Sequence, residues 1–148
     1  APTILDMYEI PVPEDFDGKS LIPLINGEAS EGYSEVYVSC GFYTVKRAII
    51  TRDRLKLIRT FYKARWPDSP TKELFDLKKD PEEQHNLIDE RKDIAEKLET
   101  KMIKWVDSML GDKPDPLRLR TVRAVRSELQ RARILQRARV YTAKPKDT

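Results

Sequence analysis

The spacing between hydrophobic positions changes along this chain, and each change indicates a new structural element. Between Val45 and Arg59, two apolar runs flank a short polar break at Arg52-Asp53-Arg54. β-Branched and apolar residues on both sides of a tight polar turn are typical of a β-hairpin. Alternation over residues 36–40 and a short apolar run at residues 73–77 predict two further strands.

A helical period replaces this alternation after residue 88. Apolar residues recur there in steps of three or four, at Ile94, Leu98, Met102, Trp105 and Met109. One apolar stripe at this spacing predicts an amphipathic helix between Asp89 and Leu110. Gly111 favours its end, and Pro114 and Pro116 prevent its continuation.

Shorter helices are predicted at three other places. Residues 1–8 carry Pro near the start and apolar residues on one face, and residues 21–25 follow Ser20, a favourable N-cap residue. Asp80-Pro81-Glu82-Glu83 places Pro and acidic side chains where a helix start favours them. At the turn that follows, we expect Asn86 to satisfy backbone groups.

The elements together predict an α+β fold. Its centre is a small antiparallel sheet of about four strands packed by one long helix and preceded by two short helices. From residue 117 the pattern is helical again, and arginine fills most positions beside a narrow apolar stripe. We therefore expect an Arg-rich helical C-terminal tail.

The net charge of +3 is unevenly distributed along the 148 residues. Residues 1–111 contain 17 Lys and Arg against 21 Asp and Glu, a net charge of −4, whereas residues 112–148 contain 11 against 4, a net charge of +7. The basic character is thus a property of the tail, and its function has to be considered separately from that of the rest.

Composition excludes several kinds of site and leaves the compartment open. With one cysteine, Cys40, the chain has no internal disulfide framework, and with one histidine, His85, it has no His-rich metal site. No run reaches the roughly 18–20 apolar residues of a membrane-spanning helix. We find no secretory signal in the chain, although its first residue is not Met and a leader could precede it.

Three segments follow one another along the chain: APTILDMYEIPVPEDFDGKSLIPLINGE, RAIITRDRLKLIRT and ELFDLKKDPEEQHNL. In this order they resemble the C-terminal part of the sulfatases, within the alkaline-phosphatase-like superfamily. The resemblance covers about residues 1–110. It implies that residues 1–33 form the end of the catalytic domain, residues 34–111 the C-terminal subdomain, and residues 112–148 a basic helical extension. The abrupt helical start leads us to expect that further chain precedes it.

The resemblance also implies that the catalytic chemistry lies upstream. The family uses a formylglycine nucleophile made from a cysteine in a C-x-P-S-R or C-x-A-x-R motif, together with calcium. Cys40 stands in Val-Ser-Cys-Gly-Phe-Tyr and lacks that motif. We therefore expect no catalytic residue, metal ligand or cofactor site in this chain, which would be inactive alone while its parent hydrolyses sulfate esters. A phosphonate or phosphate monoester hydrolase, and a non-enzymatic basic interaction or oligomerisation module, are the alternatives.

Candidate substrate-pocket residues lie on or near the hairpin, where cations could meet an anionic substrate. They are Arg47, Lys46, Tyr43 and Lys56. Alternation places Arg47 and Lys46 on opposite faces of the strand, so the charges cannot form one continuous patch. A solvated strand position for Lys56 and a packing or surface role for Tyr43 are the competing interpretations.

The tail allows three hypotheses besides the expected contact of this chain with a sulfatase catalytic domain. Its apolar stripe could form a homo-oligomer through residues 117–140, which we favour. Its arginines could bind a polyanion, with salt-sensitive affinity. It could also be a solvated helix, because isolated helices are marginal in water. The lack of aromatic residues among its arginines counts against a nucleic-acid module, and no membrane contact is expected.

Overall fold

The computed structural model describes residues 1–30, 32–41, 44–63 and 66–142, and within its last helix the side chains of 124, 135 and 137–142 are outside the description. Two units are present, Ala1–Ser34 and Glu35–Thr148. Candidate residue Tyr43 lies outside the described residues.

The first unit contains two short helices, α1 (Pro2–Met7) and α2 (Ile22–Ile25), as predicted. Ser20 lies beside the start of α2, where its Oγ accepts the Ile22 N–H at 3.1 Å and donates to Asp6 Oδ2 at 2.5 Å. The N-cap itself is Leu21, so the prediction of Ser20 as the cap is wrong by one residue. Ser20 still satisfies a backbone group of α2 and links α2 to α1.

The second unit is built on a four-stranded antiparallel sheet in the order β1-β2-β3-β4. Its strands are β1 (Glu35–Cys40), β2 (Val45–Thr51), β3 (Leu55–Tyr62) and β4 (Lys72–Asp76). The predicted hairpin is β2–β3, whose turn holds Arg54 at a φ of +66°. The register places Ile49 opposite Leu57, and Leu57 opposite Leu74.

Helix α3 (Lys92–Leu110) covers one face of this sheet, as its apolar stripe predicts. Ile49, Leu57 and Leu74 pack with residues of α3 to form the core, and those residues are Ala95, Leu98 and Met102. Because strand residues two apart share a face, Arg47 belongs to the same face of the sheet as Ile49. Trp105 of α3 stacks on Tyr37 of β1 with ring centroids 4.3 Å apart.

The prediction of a helix start at Asp80-Pro81-Glu82-Glu83 is wrong, because this segment forms turns. The Asp80 carboxylate accepts the backbone N–H groups of Gln84 and His85 at 3.0 and 2.8 Å. Glu83 adopts a φ of +56°, which is incompatible with continuing a right-handed helix. An Asp side chain that hydrogen-bonds to nearby backbone N–H groups offers them an alternative to the hydrogen bonds of a helix.

Asn86 has the structural role predicted for it. Its Oδ1 accepts the N–H of Leu74 in β4 at 2.9 Å and the N–H of Ile88 at 3.1 Å. The Leu87 N–H also donates to the Leu74 carbonyl at 2.8 Å. These bonds satisfy backbone groups of Leu74, a residue of the strand at the edge of the sheet.

After Gly111, whose φ is +54°, a short connection leads into α4 (Pro116–Thr142). Residues 116–142 of the Arg-rich tail thus form a helix. Within the described part of the chain, no helix is both long and apolar enough to cross a membrane.

Candidate functional site

Arg47 is the cation that the fold buries most deeply among the pocket candidates. It lies on β2, opposite Ser39 of β1 and Arg59 of β3. The residue is only 7% exposed. A charged group at this depth requires a partner, because removing it from water uncompensated is costly.

That partner is Asp115, in the connection before α4. Arg47 Nη1 and Nη2 donate to Asp115 Oδ2 and Oδ1, both at 3.0 Å, while Nε donates to Ser39 Oγ at 3.3 Å. The Arg47 and Asp115 side chains are 8% and 10% exposed. This is a bidentate, nearly dry ion pair, the geometry in which guanidinium–carboxylate pairs are strongest.

Asp115 also starts helix α4. Its Oδ1 accepts the Leu117 N–H at 2.9 Å, so the carboxylate satisfies one of the backbone donors that a helix N-terminus leaves free. Burial raises the pKa of Asp115, but the hydrogen bonds from Arg47 and Leu117 outweigh it and hold the pKa below its usual value. The carboxylate is therefore charged at neutral pH and links the sheet to α4.

A cavity of about 360 Å³ lies beside this ion pair. Its charged lining includes Arg47, Arg59, Asp107 and Asp115, and Phe61 and Met102 belong to its apolar wall. The Arg59 and Arg47 guanidinium carbons lie 5.2 and 6.0 Å from the centroid of the Phe61 ring. The cavity is thus amphipathic and has cations and carboxylates in its lining.

Arg59 has its own carboxylate partner, which it shares with Lys72. Glu99 of α3 accepts from Arg59 Nη1 at 2.5 Å and from Lys72 Nζ at 2.6 Å. The cationic face of the sheet is therefore largely neutralised, by Glu99 at one point and by Asp115 at another.

The fold does not bring the three described pocket candidates together. Lys46 projects from the opposite face of the sheet to Arg47, with its Nζ 3.5 Å from Glu73 Oε2. Lys56 pairs instead with Glu83, at 2.7 and 2.9 Å. Their role as substrate-pocket residues stays a prediction, as does that of Arg47.

Asp115 and Glu99 are the residues that sequence reasoning missed. Asp115 carries a readable signal, since Asp directly before Pro at the start of an apolar-periodic segment is typical of an N-cap followed by N1. No signal indicates its pairing with Arg47, which is 68 residues away along the chain.

Residues near the start and middle of α4 contact the sheet and the residue that follows β1. Leu117 is 8% exposed, and Arg120 Nη1 donates to the Gly41 carbonyl at 2.5 Å. A hydrogen bond with Glu128 raises the pKa of Tyr62 on β3 to about 12, with burial adding to the shift. Other apolar residues of α4 are exposed, at Leu119, Val122, Val125, Leu129 and Ile134.

The described residues bring no three His, Cys, Asp or Glu side chains together in a way that could hold a metal ion.

Comparison with known proteins assigns the class of this domain. Residues 1–108 match the family model described as "N-sulphoglucosamine sulphohydrolase, C-terminal". Because that match spans most of the chain, the chain belongs to this family of sulfatase C-terminal domains, and the resemblance found in the sequence is confirmed.

Two relatives are similar in more detail. An ulvan-active sulfatase of Formosa agariphila is 31% identical over 144 aligned residues, which cover 75% of this chain and 28% of that protein. A solved structure in complex with its substrate D-glucosamine-2-N,6-O-disulfate is 25% identical, with a TM-score of 0.62, and the match covers 78% of this chain and 24% of that one. The chain thus spans about a quarter of the length of the relatives that it matches.

A third protein shares the fold at lower identity. It comes from work on the metabolism of multiple glycosaminoglycans by Bacteroides thetaiotaomicron, and it is 17% identical with a TM-score of 0.51 over 72% of this chain and 23% of that one.

Proposed function

We propose that this chain is the C-terminal domain of a hydrolase of sulfate esters and that it completes the fold around a catalytic centre built elsewhere in the protein. The family match over residues 1–108 carries the proposal. The chain aligns with about a quarter of the length of each relative, which supports the view that most of such a protein lies outside this segment.

The nucleophile and the metal belong, in this proposal, to the remainder of the protein. Sulfate-ester hydrolysis needs a strong nucleophile, cations or a divalent metal to hold the anionic group, and an acid for the leaving oxygen. The resemblance implies formylglycine and calcium for the first two. The residues described here offer neither a fitting metal-ligand group nor the family's cysteine motif, so no chemical step is assigned to them.

The substrate class that we propose is a sulfated carbohydrate. Two observations favour it: the name of the Formosa relative, which is ulvan-active, and the disulfated glucosamine bound to the solved relative. Both relatives are at least 25% identical to this chain.

Sulfate and phosphate release by the full-length protein would test the reaction class. We expect release of sulfate from D-glucosamine-2-N,6-O-disulfate or from sulfated ulvan oligosaccharides, measured by ion chromatography. Under the same conditions, matched phosphate monoesters should release far less phosphate. Faster cleavage of the phosphate esters would overturn this proposal in favour of a phosphate monoester hydrolase.

A pocket-shaping role for the hairpin is a finer part of the proposal. If Lys46 or Lys56 reaches substrate, Lys46→Ala or Lys56→Ala in the full-length protein should raise KM for the sulfated substrate. Lys97→Ala is the matched control, because Lys97 is a lysine of the same domain whose side chain is 78% exposed. Equal KM values for all three variants would remove the pocket role, and thermal unfolding would show whether loss of the Glu73 or Glu83 pair alone explains any change.

A further inference from the structure

Positive charge is concentrated on α4, whereas the rest of the fold is acidic. Helix α4 contains eight arginines and one acidic residue, Glu128, whereas residues 1–111 have a net charge of −4. Only part of this charge anchors the helix: Arg120 binds the Gly41 carbonyl, and Arg118 lies beside Asp115. Other arginines in the described part of α4 take no part in these contacts and are exposed.

Three of them form a line along the helix. Arg123, Arg126 and Arg133 are separated by three and seven residues, which is the spacing of one helical face. All three are exposed. At a rise of 1.5 Å per residue, the line from Arg123 to Arg133 extends over about 15 Å. We call these three residues the arginine line.

The arginine line has no counter-charge on its own helix. No Asp or Glu stands three or four residues before or after any of its members. Glu128, the one acid of α4, is hydrogen-bonded to Tyr62 on the sheet side. Within the described part of the chain, the three guanidiniums make no hydrogen bond or ion pair, so their donors face solvent.

We propose that the arginine line binds a linear polymer carrying sulfate groups and so holds polymeric substrate on this domain. Guanidinium groups bind tetrahedral oxyanions through paired N–H donors, and a row of them suits an extended polyanion better than a single small anion. Segments rich in Lys and Arg are found in patches that bind heparin or nucleic acid. The identity of the anionic group as sulfate rests on the proposed function, whereas the binding itself does not depend on turnover.

Two other occupants fit the same helix less well. A second copy could cover the apolar stripe of Val122, Val125 and Leu129, but pairing two copies of α4 would bring sixteen arginines against two glutamates. Single-stranded nucleic acid would be expected to use aromatic stacking, and residues 116–134 contain no aromatic side chain. The binding experiment distinguishes each of them from a sulfated polymer.

The test is a binding titration of the intact protein with fluorescently labelled heparin at several salt concentrations, using anisotropy. The triple variant R123Q/R126Q/R133Q removes the arginine line while keeping good helix formers. We expect its affinity to fall at least tenfold at low salt. The slope of log affinity against log salt should become shallower by roughly 2–3, since about 0.7–0.9 counterion is released per neutralised contact.

The matched control is K78Q/K79Q/K97Q, which removes the same charge from exposed lysines of the same unit. It should bind heparin within about twofold of the parent protein, and circular dichroism should show equal helix content for both triple variants. If the control loses as much affinity as the arginine-line variant, binding is a net-charge effect and the proposal is overturned.

Two further measurements distinguish a sulfated polymer from single-stranded DNA and from a second copy of the chain. Fully desulfated heparin should bind at least tenfold more weakly than heparin, and random-sequence single-stranded DNA of equal length more weakly as well. Binding of DNA that equals or exceeds that of heparin contradicts the proposal. A dimer mass by light scattering would also contradict the proposal if V125Q/L129Q abolished both the dimer and heparin binding. In that case α4 would be an interface between two copies of the chain. Retained heparin binding with no sulfate release would refute the proposed function alone.

Discussion

Helices α3 and α4 lie in the same unit and differ in how much apolar burial attaches each of them to the sheet. Helix α3 inserts Ala95, Leu98 and Met102 into the core, where all three are less than 7% exposed. Helix α4 buries Leu117 at its first turn and relies on Asp115, Arg120 and Glu128 for polar contacts with the sheet. Hydrophobic burial, with the ion pairs of Glu99 and Lys101 beside it, thus holds α3. One buried leucine, a buried ion pair and two further polar contacts hold α4.

The difference indicates what each helix is for. Burial is non-directional and large, so α3 is part of the structure on which the sheet depends. Directional polar contacts fix a position without contributing much apolar area, and they leave the remaining surface of α4 exposed. An exposed, highly basic helix held at a fixed position is a suitable form for a binding element.

The largest effect should come from the core beneath α3. Leu98→Ala removes a 6% exposed side chain that packs with Ile49 and Leu57. We expect a loss of about 3–4 kcal/mol in the free energy of unfolding, as for other buried Leu→Ala changes. Chemical denaturation followed by circular dichroism measures it.

Leu129→Ala is the matched change on α4, where the leucine is 57% exposed. It should cost no more than about 0.5 kcal/mol, as is usual for surface positions. Equal losses for the two leucines would contradict the contrast between the helices.

The second effect concerns the ion pair that attaches α4. Asp115→Ala leaves Arg47 buried without its carboxylate and removes the α4 cap. Breaking a buried pair in this way usually costs about 3–5 kcal/mol, but water from the adjacent cavity can reach Arg47, so we expect about 2–3 kcal/mol. Hydrogen exchange should speed up in the first turns of α4 and stay slow in α3. Uniformly faster exchange across both helices would show that they form one cooperative element.

The third effect tests a polar contact inside the sheet itself. Asn86→Ala removes the acceptor of the Leu74 and Ile88 N–H groups, and we expect a loss of about 1–2 kcal/mol in unfolding free energy. The Asn86→Asp variant retains the acceptor oxygen and should recover part of this loss. If both variants are as stable as the parent protein, the edge of the sheet does not depend on this side chain.

The smallest effect is a pH dependence. Because the pKa of Asp115 is held low in the folded protein, its carboxylate stabilises the fold above the pKa of the unfolded chain, and this contribution is lost as pH falls through the folded value. The stability difference between the parent protein and Asp115→Asn should therefore be constant between pH 7 and 5. Below about pH 4, near the ordinary pKa of Asp, it should shrink.

A difference that instead grows on acidification would reverse the assigned direction of the pKa shift. Asp80 also has a lowered pKa, from the Gln84 and His85 N–H groups, and it affects both proteins equally.

The predictable parts of the fold are those encoded by local periodicity. Alternation and a polar turn are sufficient to predict β2 and β3, and the apolar stripe predicts α3 to within a few residues of its observed start. The prediction of a helix after Asp80 was wrong because Pro and acidic residues, which favour a helix start, also favour a turn. There the Asp80 side chain took the backbone N–H groups that a helix would have used.

The candidate site was less predictable than the fold for a different physical reason. A charged strand residue such as Arg47 can be assigned to a face from alternation, but its partner depends on where a distant segment returns. Asp115 and Glu99 reach the sheet from the α3–α4 connection and from α3, so their roles arise only from tertiary packing. The arginine line, by contrast, is readable from helical spacing alone.

Sulfate release measured for the full-length protein and for residues 1–148 alone tests the central claim most directly. Both should be folded by circular dichroism and assayed with the same sulfated glucosamine or ulvan oligosaccharide. The account predicts turnover by the full-length protein and none above background by the isolated chain. Turnover by the isolated chain at a comparable rate would contradict the claim that this domain supports a catalytic centre built elsewhere.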